Sequence, residues 1–180
     1  HYIIFLGDLV DRGPYGLETL LVAIRLKMHN MSNVYILNGN HEDRSTYKHY
    51  GLLEEMKHQL KLEKAFDSMY KLTRLFPSAL FIKFKNGSKW TQFCHGAIHS
   101  CSKEKTFHPL EFLQSKSNFK LLEDLQDNKT KSDMSGFKWG DFSLQKENIS
   151  RSSRGPSIFN YNYEFVEKYY VRVIHENEMS

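Results

Sequence analysis

Two short apolar runs separated by a helical run occupy the first forty residues. Residues 2–6 and 33–37 each have the length and apolar content of a buried strand. Between them, a helix starting near Pro14 and ending near Asn30 is predicted by apolar residues at helical spacing: Leu17, Leu20, Leu21, Ile24 and Met28. A strand, a crossover helix and a second strand predict a parallel pair with a right-handed connection. The chain is therefore expected to adopt an α/β fold.

Helical and strand-like segments also fill the remainder of the chain. A helical stretch is predicted from about Ser45 to Leu75, with a break at Gly51 and an end at Pro77. Strand-like runs at 80–84 and 90–94 flank Asn86-Gly87, which is a strong hairpin signal. The other predicted segments are a helix over 109–127, a long polar loop over 128–157 with an aromatic island at 137–142, and a strand-like run at 171–174.

The composition excludes several classes of protein. The 180 residues suit one domain, and a 14% aromatic content argues against a disordered chain. No apolar run reaches the roughly 18 residues of a membrane span, and a net charge of +4 is too small and scattered to indicate nucleic-acid binding. Two cysteines cannot form a disulfide framework and fit a reducing compartment at least as well as a secreted one, and a cytoplasmic location is predicted.

Both ends of the sequence lie close to predicted strands. The chain begins at His1, not at a methionine, and only six residues follow the run at 171–174. We therefore expect a fragment of a longer protein, truncated at both ends.

Polar side chains follow three of the predicted strands. The sequence GDLVDRG follows the first strand, GNHE the second, and His95-Gly96 the strand at 90–94. Ligands of open α/β sheets bind where loops meet at the carboxyl ends of strands. Asp, Asn and His side chains suit Mn, Fe or Zn, and Arg12 can bind two phosphate oxygens. The set predicts metal-assisted hydrolysis of a phosphate ester.

Each motif alone has an ordinary structural explanation. Asp8 could cap a turn, and GNHE could be a tight turn before a helix. Asp11 and Arg12 could form a surface ion pair, and His95 could be a hydrogen-bonded core histidine. Their order and their common place after strands favour a shared site.

The motifs resemble those of the calcineurin-like metallophosphoesterases, and more narrowly the phosphoprotein phosphatase branch that contains the serine/threonine protein phosphatases. GDLVDRG, then GNHE about thirty residues later, then CHG carry the resemblance, which extends from Phe5 to about Gly155. It implies a β-sandwich flanked by helices. It also implies that residues 1–180 are a single, partial catalytic domain without the N-terminal metal motif and the C-terminal end.

The resemblance implies a dinuclear metal site of Mn, Fe or Zn. Asp8 would bridge the two ions, and Asn40 and His95 would ligate the second ion. His175 is a further candidate ligand, although Val173 stands where an arginine is expected before it. His175 could instead be a solvent-facing residue at a strand end.

The resemblance also assigns catalytic and phosphate-binding roles. Asp11 would accept a hydrogen bond from His41 and favour its charged form, and His41 would protonate the departing alkoxide. Arg12 and Arg154 would hold phosphate oxygens. A hydroxide shared by the two metals would attack phosphorus, so no phosphoenzyme is needed.

Two residues depart from the family pattern. Asn38 stands where the protein phosphatases usually carry arginine before GNHE, and Ala97 stands where the second glycine of His-Gly-Gly is usual. If the backbone at this position needs the conformational freedom of glycine, the loop at Ala97 would differ in geometry from that of the family.

These features predict a metal-dependent serine/threonine protein phosphatase, with a phosphoprotein substrate, a regulatory subunit as a further candidate partner, and no nucleic acid or membrane. One alternative is a hydrolase of dinucleoside polyphosphates or other small phosphate compounds. A second is a degenerate, non-catalytic binding module that kept the fold. Cys94 beside His95 is interpreted as a buried strand cysteine and not as half of a zinc pair.

Overall fold

The computed structural model describes residues 1–60, 65–83, 90–98, 135–144, 146–155, 158–164, 166 and 172–173. The chain divides into two compact units, His1–Leu80 and Phe81–Ser180. The predicted hairpin turn at 86–87, the predicted helix at 109–127 and His175 lie outside the described residues.

The first unit opens with the predicted strand, helix and strand. They are β1 (Ile3–Phe5), α1 (Gly16–His29) and β2 (Val34–Ile36). The two strands pair in parallel, with Ile4 opposite Tyr35, as predicted. Helix α1 begins two residues later than Pro14. Its first two N–H groups, those of Gly16 and Leu17, donate to the Glu55 carboxylate at 3.2 and 2.9 Å, which fixes its N-terminus.

Short helices complete the first unit. They are a 3-10 turn (Asn40–Glu42), α2 (Arg44–Tyr50), α3 (Leu52–Leu60) and α4 (Ala65–Thr73). Gly51 separates α2 from α3 at a φ of 125°, a backbone conformation that favours glycine, so the predicted break is confirmed. The helices pack on a buried apolar cluster of Val10, Leu20, Tyr47, Leu52, Met56 and Phe66.

A three-stranded sheet starts at the end of the first unit. Its strands are β3 (Ala79–Lys83), β4 (Trp90–Cys94) and β8 (Arg172–Val173), in the order β3-β4-β8. Strand β8 pairs in parallel with β4, with Thr91 opposite Arg172. Strands β4 and β8 fall within the strand-like runs predicted at 90–94 and 171–174, and β3 begins one residue before the run predicted at 80–84.

The prediction of one long loop over 128–157 is wrong for its described part. That segment contains α5 (Gly136–Trp139), β5 (Asp141–Ser143) and β6 (Ile149–Arg151). Strand β7 (Phe159–Asn162) lies between the two strands, parallel to β5 and antiparallel to β6. Strands of three residues are too short to show a periodic pattern, and pairing with β7 defines them instead.

The second unit has its own apolar cluster. Ala97, Ile98, Tyr161 and Val166 are fully buried, and Phe142, Ile149 and Phe159 pack against them. The segment after β4 therefore lies in contact with the β5-β7-β6 sheet. Over the described part of the chain, no helix is long and apolar enough to cross a membrane.

Candidate active site

The loop after β1 has an unusual backbone. Asp8, Asp11 and Arg12 have φ values of 54°, 69° and 59°, and they are the non-glycine residues with positive φ in the described part of the chain. Few side chains adopt this conformation without cost, and such residues concentrate at functional sites. The loop is therefore held by its surroundings and not by local preference.

The loop after β1 and the loop after β2 touch through two glycines. A Cβ placed on Gly7 would lie 2.3 Å from the Gly39 nitrogen. A Cβ on Gly39 would lie 2.4 Å from Asp8 Oδ1 and 2.9 Å from Glu42 Oε2. Glycine is required at both positions because the two loop backbones are in direct contact. We call these two loops, residues 7–13 and 38–42, the paired loops.

A buried carboxylate lies between the paired loops. Glu42 is 1% exposed. Its Oε2 accepts the N–H groups of Asp8 at 2.9 Å and Gly39 at 2.8 Å, and its Oε1 accepts that of Leu9 at 2.8 Å. Burial raises the pKa of Glu42, and the three N–H donors oppose that rise. Sequence reasoning assigned no contact to this side chain, since its partners lie 33 and 34 residues away.

His41 and Asp11 form a buried pair. The His41 Nδ1 atom lies 2.9 Å from Asp11 Oδ2, and the two side chains are 4% and 0% exposed. Asp11 Oδ1 also accepts the Leu52 N–H at 2.8 Å. Because a carboxylate oxygen only accepts, the imidazole carries a proton at Nδ1. The structure places Asp11 and His41 in contact, as the resemblance implied, and leaves the other ring nitrogen, Nε2, outside this contact.

Asp8 and Asn40 carry oxygen donors of the kind that bind cations. Asp8 Oδ1 accepts the His41 N–H at 3.0 Å, and Asp8 Oδ2 lies 3.9 Å from His41 Nε2. Asn40 is buried, and its Oδ1 accepts no hydrogen bond from any described residue. A buried carbonyl oxygen without a donor is costly unless something else satisfies it. An amide oxygen and a carboxylate on adjoining loops fit a divalent cation.

An aromatic ring contacts both Arg12 and His41. The Tyr50 ring packs edge-on against the His41 ring, with 5.0 Å between the centroids, and the Arg12 guanidinium lies 5.6 Å from the Tyr50 centroid. The Arg12 N–H donates to the Tyr50 carbonyl at 2.9 Å. Tyr50 therefore restricts where the arginine and the histidine can lie.

In the second unit, Arg154 is held by an aspartate that sequence reasoning did not assign. Arg154 Nη1 donates to Asp141 Oδ1 at 2.7 Å and to Oδ2 at 2.8 Å, and the guanidinium lies 5.8 Å from the Trp139 ring centroid. The two side chains are 44% and 39% exposed. The available signal in the sequence was the motif Trp139-Gly140-Asp141, which contains both residues that contact the Arg154 guanidinium.

His95 follows β4 directly, as predicted, in a segment with close backbone contacts. The Gly96 N–H donates to the Phe137 carbonyl at 2.7 Å, and a Cβ on Gly96 would lie 2.7 Å from the Gly136 oxygen. Ala97 is fully buried and lacks positive φ, so its methyl group fills the core without strain. The backbone at this position does not need glycine.

Cys94 behaves as a structural thiol. Its Sγ donates to the Ala97 carbonyl at 2.8 Å, and burial raises its pKa to about 12. The position of Cys94 at the end of β4 and its contact with the Ala97 carbonyl agree with its interpretation as a strand cysteine.

The structure thus gathers part of the predicted site. Asp8, Asp11, Arg12, Asn40 and His41 all lie on the paired loops. Arg154 and His95 belong to the second unit. Within the described ranges, no three His, Cys, Asp or Glu side chains form a cluster that could hold a metal. Of the predicted ligands, Asp8 and Asn40 belong to the first unit, His95 belongs to the second, and His175 lies outside the described residues.

Parts of this chain are similar in sequence to known serine/threonine-protein phosphatases. A yeast (Saccharomyces cerevisiae) PP2A-like serine/threonine-protein phosphatase is 46% identical over 29% of this chain and 14% of its own length. The catalytic subunit A1 of serine/threonine-protein phosphatase 2B from the same yeast is 33% identical over 53% of this chain and 16% of its own length. The chain therefore spans only a small part of these relatives.

A solved structure has a similar fold. It is a serine/threonine phosphatase from the same yeast, described as similar to human PP5, with a TM-score of 0.70 and 21% identity. The match covers 96% of this chain and 50% of the solved chain, and it confirms the predicted phosphatase-type α/β fold. The family model for calcineurin-like phosphoesterases matches residues 1–173. The chain belongs to the calcineurin-like phosphoesterase family.

Proposed function

We propose that this protein is a metal-dependent phosphomonoester hydrolase that acts on phosphoserine or phosphothreonine in proteins. The observation that carries the proposal is the buried His41–Asp11 pair, 2.9 Å apart, beside Asp8 on the paired loops. Serine/threonine phosphatases among the relatives support the choice of substrate. In this proposal residues 1–180 are part of one catalytic domain, and a regulatory subunit is a further partner.

His41 acts as the general acid in this proposal. Asp11 holds the imidazole through Nδ1, and the charged ring carries its second proton on Nε2. That proton passes to the alkoxide oxygen of the serine or threonine as the bond between phosphorus and oxygen breaks. Because Asp11 is itself fixed by the Leu52 N–H, the ring cannot turn away from the leaving group.

Arginines bind the phosphate in this proposal. The backbone of Arg12 is fixed by the hydrogen bond from its N–H to the Tyr50 carbonyl. The guanidinium of Arg154 is held by Asp141 through one nitrogen, Nη1. The planar guanidinium presents several donors to phosphate oxygens, so an arginine anchored through a single nitrogen still has donors for an anion.

Asp8 and Asn40 would hold divalent metal ions, with His95 and His175 as further proposed ligands. The family generally uses a dinuclear metal centre. When bound, two such ions supply an activated water as the nucleophile and offset charge on the phosphoryl oxygens. Mn, Fe and Zn all accept this mixture of oxygen and nitrogen ligands.

Phosphate release from two substrates tests the proposal. The full-length gene product is incubated with Mn²⁺ and either a phosphoserine peptide or a diadenosine polyphosphate. We expect phosphate release from the peptide and an intact dinucleotide. Cleavage of the dinucleotide alone would transfer the assignment to small phosphate compounds. Inactivity toward both, with no Mn²⁺ bound, would identify a non-catalytic binding module.

A further inference from the structure

Glu42 has contacts that the proposed reaction does not use. The proposed reaction gives this side chain no role, yet its carboxylate is among the most deeply buried in the first unit. Both of its oxygens accept backbone N–H groups, and those groups come from both paired loops: Asp8 and Leu9 on one, Gly39 on the other. A single side chain thus joins two segments more than thirty residues apart.

A return contact completes this connection. Glu42 receives the Asp8 N–H at 2.9 Å, and the Asp8 carboxylate receives the N–H of the neighbouring His41 at 3.0 Å. Asn40 lies between Gly39, which donates to Glu42, and His41, which donates to Asp8. The backbone on either side of Asn40 is therefore fixed relative to Asp8.

None of the three N–H groups that Glu42 accepts belongs to a helix or a strand. Without the carboxylate, these three N–H groups would be at least partly buried donors with no acceptor, and an unsatisfied buried donor is energetically costly. The paired loops would then separate or admit water. In either case Asp8 and Asn40 would lose their fixed relative position.

We infer that Glu42 is a positioning residue, which aligns Asp8 and Asn40 as a preformed pair of cation ligands by joining the backbones of the paired loops. The cation part of this inference rests on the proposed function, and the joining of the loops does not. Residues that orient metal ligands typically change metal affinity by about 10- to 100-fold when replaced.

Hydrogen exchange of the unaltered full-length protein gives the first test. We expect the amides of Asp8, Leu9 and Gly39 to exchange as slowly as that of Leu37, which donates to the Phe5 carbonyl at 2.8 Å beside the β1–β2 pair. Exchange at the rate of open loops would overturn the inference without any variant.

The second test compares Glu42→Gln with Glu55→Gln in the full-length protein. The amide matches the carboxylate in shape, but its NH₂ faces an N–H donor where an oxygen accepted before. Glu55 is a matched control, since its carboxylate also accepts two backbone N–H groups, at the start of α1. Peptide-level hydrogen exchange, Mn²⁺ affinity by electron paramagnetic resonance, and thermal denaturation are measured for each.

For Glu42→Gln we expect faster exchange in both paired loops and a fall in Mn²⁺ affinity of about 10- to 100-fold. For Glu55→Gln we expect faster exchange at residues 16–17 and unchanged Mn²⁺ affinity. Unchanged exchange in the paired loops of Glu42→Gln would overturn the inference, as would faster exchange with unaltered Mn²⁺ affinity. If the wild-type protein binds no Mn²⁺, the proposed function fails, and the two exchange measurements still decide whether Glu42 joins the loops.

Discussion

The paired loops of the first unit and the Asp141–Arg154 pair of the second unit hold charged groups in opposite ways. On the paired loops, Asp11 and His41 are 0% and 4% exposed, and the hydrogen bonds run from loop to loop. In the second unit, Arg154 and Asp141 are 44% and 39% exposed and contact each other directly. Solvent and salt screen the second pair but reach the first much less.

In the proposed function, the two regions have different tasks. A general acid and metal ligands must be aligned before the substrate arrives, and buried, mutually bonded groups achieve that alignment. An arginine that captures a phosphate must be able to exchange one anion for another, and an exposed ion pair allows that. We therefore expect substitutions of the buried groups in the paired loops to have large effects that salt does not change, and substitutions at Asp141 to have small effects that salt reduces.

The largest effect is expected for His41→Asn. Removing the proposed general acid should lower kcat toward a phosphopeptide by about 10²- to 10⁴-fold, the usual contribution of such a group. Phosphate release by the purified full-length protein measures it. The exposed His49 on α2 provides the control, and His49→Asn should retain wild-type activity. Equal activity of the two variants would remove His41 from the proposed mechanism.

Gly39→Ala should be next in size. The added Cβ would lie 2.4 Å from Asp8 Oδ1 and 2.5 Å from the Asp8 nitrogen, so the paired loops must move apart. Overpacking of this kind typically costs about 1–3 kcal/mol of the free energy of unfolding, which denaturant titration detects.

Gly13→Ala is the matched control for this substitution. A Cβ there meets only the Asp11 carbonyl oxygen, at 4.0 Å, which is an ordinary contact. If both alanine variants had the same stability, the paired loops could not be as tightly packed as described.

Tyr50→Leu should have a smaller effect. The substitution keeps apolar bulk but removes the ring that contacts Arg12 and His41. An exposed contact between a cation and a ring contributes about 0.5–1 kcal/mol. We expect KM for a phosphopeptide, measured by steady-state kinetics, to rise by about two- to five-fold. An unchanged KM would contradict this role of Tyr50.

Asp141→Asn should have the smallest effect and depend most on salt. Exposed ion pairs contribute about 0.2–1 kcal/mol, so thermal stability should hardly change. Loss of the contact to Arg154 should raise KM a few-fold at low salt, and the difference from wild type should shrink as salt increases. A large effect independent of salt would contradict the contrast between the two regions.

Sequence reasoning predicted the first unit well because its signals are local. The parallel pair of β1 and β2 follows from apolar runs and a helical repeat, and the break at Gly51 from the residue type. The motif residues of the paired loops lie next to strand ends, so their positions in the fold could also be predicted from the sequence. Their roles in metal and phosphate binding came from family resemblance and stay predictions.

Other features could not be predicted because they depend on contacts distant in sequence. Strands β5 and β6 have three residues each, and pairing with β7 defines them. The left-handed backbone at Asp8, Asp11 and Arg12 is only weakly indicated by residue type, since glycine favours this conformation most and aspartate adopts it only occasionally. The contacts of Glu42 and of Asp141 likewise appear only after folding brings separated segments together.

The most direct test of the account is a crystal structure of the full-length protein grown with Mn²⁺, with anomalous scattering data that locate the ions. The account predicts anomalous peaks at Asp8 and Asn40, with Glu42 still accepting hydrogen bonds from Asp8 and Gly39. Peaks at other residues, or none at Asp8 and Asn40, would contradict it.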